Sequence, residues 1–129
     1  HEGVPDSVGS KVINTTGQLT STELLGVIAA ADLVVSTDSG PFHIAGALRR
    51  PLIGLFRARR PEHAGHYADC RVIFGEDGVC QELCAWDRCR TQPCCQLSSI
   101  SVGQVTDVIK LFEPSLKGTR IANESAQCV

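Results

Sequence analysis

The chain has 129 residues, 43% of them apolar and 20% charged, with a formal net charge of −2. These values suit one compact globular domain with a single core and exclude a globally basic nucleic-acid binder. No apolar run nears the ~20 residues that cross a bilayer as a helix, and no signal-peptide pattern opens the chain. The sequence contains no methionine, so it is read as a piece of a longer protein.

Residues 1–10, HEGVPDSVGS, are polar and turn-rich and are expected to be flexible. Residues 11–14, KVIN, form a short strand candidate. Thr20 followed by Glu23 has the spacing of a capping box and predicts a helix ending near Asp32. Leu24, Val27, Ile28 and Ala31 share one face of that helix. Residues 33–36 (LVVS) and 51–56 (PLIGLF) are apolar without alternation, as in parallel strands covered on both faces. Between them, Pro41 to Leu48 forms a short helix, with proline in the first turn where its missing N–H is harmless. Strand, tight turn, helix and strand make a parallel unit with a right-handed crossover.

Residues 70–74 (CRVIF) read as a further strand, and residues 75–99 as a loop holding five of the seven cysteines. A last helix starts at Ser101, capped with Gln104, and buries Val105, Val108, Ile109 and Phe112 before Pro114 stops it. The folded part is therefore residues 11–113, an α/β domain with a parallel sheet and flanking helices. Residues 114–129 are expected to form a disordered tail.

The chemistry concentrates in residues 36–48, STDSGPFHIAGAL. Ligands of open parallel sheets bind at the carboxyl ends of the strands, and the helix that follows points its N-terminal amides and positive dipole at that place. Gly40 lets a ligand approach the backbone. Ser39 and His43 supply donors, while Asp38 braces the loop or holds a substrate hydroxyl. The same Asp-Ser-Gly-Pro run is also good turn and helix-capping chemistry that needs no ligand. Local chemistry leaves both readings open.

Stretch 16–56 is similar to the C-terminal domain of the glycosyltransferase family 9 heptosyltransferases. Thr16-Gly17, Asp38-Ser39-Gly40, His43, Ala45, Ala47-Leu48 and Pro51 stand in the family's order and spacing. The resemblance implies a GT-B architecture, two Rossmann-like domains facing a cleft, with this chain part of the C-terminal one. It implies a nucleoside diphosphate sugar donor of the ADP-heptose type, no metal and no other cofactor. Asp38, Ser39, Gly40 and His43 would hold the diphosphate or sugar, with Thr16 and Gly17 as additional phosphate contacts. Arg57 and Arg59, outside the family's pattern, either add charge for a diphosphate or, as is commoner, are simply solvated in a loop. Where family members carry a Gly-Pro-Thr-like loop after the second strand, this chain has RARRP at residues 57–61. The acceptor, a lipopolysaccharide or other glycan, would be held by an N-terminal domain that also supplies the catalytic base; no base is assigned here. The enzyme would act in the cytoplasm, at the inner face of the membrane, without nucleic acid, and the isolated piece could pair with itself along an open sheet edge.

Two other readings stand beside this one. One is a stand-alone nucleotide- or phosphate-binding module. The other is a cysteine-rich interaction protein stabilised by zinc. Cys80, Cys84, Cys89 and Cys94 are separated by three, four and four residues, a spacing zinc permits but does not require. His63 and His66 read as surface-loop histidines and Trp86 as a loop anchor, while Tyr67 is free to pack or to face a ligand.

Overall fold

A computed structural model of the protein describes residues 12–57, 67–76 and 95–117. In chain order the elements are α1 (Ser21–Ala30), β1 (Val34–Thr37), α2 (Gly40–Ala47), β2 (Leu52–Phe56), β3 (Cys70–Phe74), α3 (Cys95–Ser98) and α4 (Val102–Lys117). The strands form one sheet in the order β1-β2-β3, parallel throughout, with Val34 opposite Leu52 and Leu52 opposite Cys70. This small α/β arrangement is consistent with the Rossmann-like sheet that the resemblance implies.

Side chains alternate between the two faces of a strand, and the buried residues sort accordingly. On one face Leu52, Phe56 and Cys70 join Ile28 of α1 and Phe42 and Ala45 of α2 in a single cluster. Phe42, fully buried, sits edge-on to Phe56 with ring centroids 5.1 Å apart. A Cβ on Gly54 would lie 2.7 Å from the Phe42 ring. Glycine at the centre of β2 is therefore what lets α2 seat its largest side chain on the sheet. On the other face Ile53 is also fully buried, and Arg71 of β3 lies 5.9 Å from the ring centroid of Phe112 in α4. β2 is thus covered on both sides, as its unbroken apolar run requires.

β1 departs from that expectation. It is an edge of the sheet among the described residues, and Val35 remains 45% exposed because no described element lies over it. The strand expected at residues 11–14 is absent from the described part, residues 12–14. Ile13 is 85% exposed there, and short apolar sequence without a ladder partner or a covered face does not make a strand. Val27 likewise lies half in solvent, so the buried stripe of α1 narrows to Leu24 and Ile28.

Helix termini follow the sequence more closely. Both capping boxes form: Thr20 with Glu23, and Ser101 with Gln104. α2 closes with the Arg50 N–H on the Ala45 carbonyl and the Arg49 N–H on that of Gly46, both at 3.0 Å. Arg49 takes the left-handed conformation (φ 51°) that this C-terminal motif needs. α4 does not stop at Pro114 but runs to Lys117; proline removes one amide donor there, and only three residues of helix follow it. A turn of helix, α3, also stands inside the stretch read as loop. Its Gln96 backbone presses so closely on Gly75 that no Cβ would fit.

Candidate functional site

Because the strands are parallel, their carboxyl ends share one edge of the sheet. Asp38 follows β1 there, Arg57 follows β2 and Gly75 follows β3. α2 starts two residues beyond Asp38, so its N-terminal turn and dipole face the same edge. Asp38, Ser39, Gly40 and His43 are brought together as the sequence predicts. Arg57, just past the end of the neighbouring strand, is half-buried.

The turn is organised by hydroxyls. Ser39 is the N-cap residue of α2, in extended conformation, yet its side chain caps no helix amide. Its hydroxyl lies 3.0 Å from the Thr37 carbonyl and 3.1 Å from the Ser36 hydroxyl. The capping reading of Asp-Ser-Gly-Pro thus holds for the backbone and fails for the side chain. At Gly40 an added Cβ would meet nothing within 4 Å, so the space beside the first helical residue is open to an approaching group.

His43 lies one turn into α2 with its ring 47% exposed, and its Nε2 is 3.8 Å from Asp38 Oδ1. Its Nδ1 is 2.9 Å from the Tyr67 hydroxyl. Asp38 thus stands beside an imidazole, the group that offsets its charge when both ring nitrogens are protonated. Tyr67, which the sequence leaves undecided, packs and faces the site at once. Its ring covers Gly46, where a Cβ would collide with it, and stands edge-on to Phe42 at 5.8 Å. Nothing in residues 36–48 announces this partner, which lies 24 positions from His43.

Thr16 and Gly17 fall in a turn before α1, where Gly17 is left-handed (φ 69°) and the Thr16 N–H donates to the Asn14 side chain. No hydrogen bond or ion pair among the described residues links them to Asp38 or His43. Arg59, His63, His66 and Trp86 lie outside the described residues, as do Cys80, Cys84, Cys89 and Cys94. Among the described residues no three metal-ligating side chains come together, and no helix is long and apolar enough to cross a membrane.

An open helix N-terminus at the carboxyl edge of a parallel sheet is the layout used by nucleotide-binding α/β proteins. The profile of glycosyltransferase family 9 (heptosyltransferase) matches residues 3–93, and the chain belongs to that family. It is 33% identical over 79 residues to lipooligosaccharide heptosyltransferase 2 of Haemophilus influenzae, a match covering 58% of this chain and 23% of that protein. It is 39% identical over 54 residues to the lipopolysaccharide core heptosyltransferase OpsX of the same organism, covering 42% and 16%. The chain therefore spans less than a quarter of the length of these relatives. No solved structure matches it.

Proposed function

We propose that this chain is the donor-binding part of a family 9 glycosyltransferase with GT-B architecture. It would hold a nucleoside diphosphate sugar of the ADP-heptose type for transfer to a lipopolysaccharide or other glycan acceptor. The observation that carries the reading is the N-terminus of α2. It faces the carboxyl edge of the sheet with no side-chain cap, beside a glycine with open space around it. Amide N–H groups and the helix dipole there suit a diphosphate. Family membership and the names of the two relatives supply the sugar-transfer chemistry.

In the proposed reaction the bond from the anomeric carbon to the diphosphate oxygen breaks and a bond to an acceptor hydroxyl oxygen forms. The acceptor's proton passes to a base in the part of the enzyme that this chain does not span. Negative charge then grows on the departing diphosphate. The α2 dipole, His43 and Arg57, with Arg59 as a further cation, would stabilise it without a metal. Asp38 would orient a sugar hydroxyl or hold His43. The reaction would take place at the cytoplasmic face of the membrane, where lipid-linked acceptors lie.

The test is an NMR titration of the labelled chain with ADP and then with ADP-sugars. Shifts centred on the amides of Ser39, Gly40 and His43 are expected. In Gly40→Val they should be lost with at least a tenfold drop in affinity, about 1.4 kcal/mol. The open space at Gly40 means that this variant should fold normally. If millimolar ADP leaves all three amides unmoved in a protein that also carries the rest of the enzyme, the reading is wrong.

A further inference from the structure

We propose that Tyr67 is a positioning residue for the donor site: it fixes the tautomer of His43 so that Nε2 presents its N–H toward Asp38 and the bound diphosphate. This rests on the reading of residues 38–43 as the donor site. A neutral imidazole has one N–H, and the hydrogen bond made by one nitrogen determines what the other can do. Here both nitrogens have named neighbours. Nε2 faces the Asp38 carboxylate at 3.8 Å, which when ionised only accepts; Nδ1 faces the Tyr67 hydroxyl at 2.9 Å, which can donate. The two preferences agree. Tyr67 O–H donates to Nδ1, the proton of the ring sits on Nε2, and that N–H can pass from Asp38 to a phosphate oxygen.

The hydroxyl is held firmly enough for this role. The Tyr67 ring lies on Gly46, with two of the carbons that a Cβ there would meet only 2.5 and 2.6 Å away. Phe42 supports it edge-on at an interplanar angle of 67°. Its backbone leads within two residues into Asp69, whose carbonyl takes the Leu52 N–H at 3.0 Å, so the segment is tied to the start of the β2–β3 ladder. The side chain therefore runs along α2 from the amino end of β3 toward a site at the opposite edge of the sheet. A phenylalanine would pack on Gly46 equally well. The hydroxyl is the part that packing does not explain.

The experiment reads the imidazole nitrogens of the 129-residue chain by 15N NMR, with His43 assigned among the four histidines through His43→Ala. The expected result is the Nε2–H tautomer in the wild type and a mixture of tautomers in Tyr67→Phe. The unfolding midpoint should stay the same and ADP binding should weaken about three- to tenfold. As a reciprocal readout, His43→Ala should move the Tyr67 ring signals, which keeps the proposal testable if Tyr67→Phe folds poorly. His43 nitrogen signals unchanged in Tyr67→Phe, with ADP still bound by the wild type, overturn the role of Tyr67 alone. Altered tautomers with ADP affinity untouched overturn it too. Failure to bind ADP in a protein that also carries the rest of the enzyme sinks the donor-site reading and this proposal with it.

Discussion

At the start of α1 the Thr20 hydroxyl accepts the Glu23 N–H at 3.3 Å, and the Glu23 carboxylate takes the Thr20 N–H at 2.8 Å. At the start of α2, Ser39 carries an equally good capping hydroxyl, but it is drawn back to the Thr37 carbonyl and the Ser36 hydroxyl. α4 sides with α1, through Ser101 and Gln104. Residue type therefore does not decide which helix is left open. The difference is the turn: Ser36 in β1 gives Ser39 a competing partner, and the position three residues on, held by Glu23 in α1 and Gln104 in α4, is Phe42 in α2, which has no oxygen to reach back to the cap. The side-chain caps close the termini of α1 and α4, and the terminus of α2 is left without one at the carboxyl edge of the sheet.

The contrast can be broken at three points. Phe42→Ala should act most strongly, lowering unfolding stability by about 3–5 kcal/mol in denaturant titration, because it empties the contact that holds α2 on Gly54. A loss under 1 kcal/mol would mean that α2 is anchored elsewhere. Ser39→Asp should close the open terminus with a carboxylate, raising stability by up to about 1 kcal/mol. ADP affinity measured calorimetrically should fall about tenfold or more through charge repulsion. Unaltered ADP binding there would remove α2 from the donor site.

Thr20→Ala is the mildest, costing about 1 kcal/mol of stability and leaving ADP binding as it was. The same pair sets a pH dependence. Hydrogen bonds from the Thr20 side chain, and then from its backbone, hold the Glu23 carboxyl below its usual range. Its contribution is complete above the ordinary carboxylate pKa and is lost as pH falls through the lowered one. Protection factors of the α1 amides, with intrinsic exchange corrected for pH, should fall in acid in the wild type, and much less so in Thr20→Ala.

How far the sequence could be read depended on the range of the forces involved. Capping boxes are local, and both were legible; β3 matches its expected limits, because CRVIF is bounded by turn residues on both sides. The strand–turn–helix that gathers Asp38, Ser39, Gly40 and His43 was legible for the same reason. Covering of a face is not local. Val35 and Val27 look as apolar as Ile53 and Ile28, yet the first pair is half in solvent and the second buried, according to what packs above them. KVIN had composition on its side, but its described residues, 12–14, join no strand of the sheet. Tyr67 was illegible as a neighbour of His43 because its position depends on the absence of a side chain at Gly46 and on a hydroxyl that meets the imidazole one turn away on α2.

Tyr67 is also the chain's single tyrosine. Every tyrosine signal in its spectra, whether ring proton, ring carbon or ultraviolet absorbance band, thus comes from the group in contact with His43. The protein carries its own unlabelled reporter at the proposed site, and occupancy there can be followed without a dye, a tag or a substituted residue.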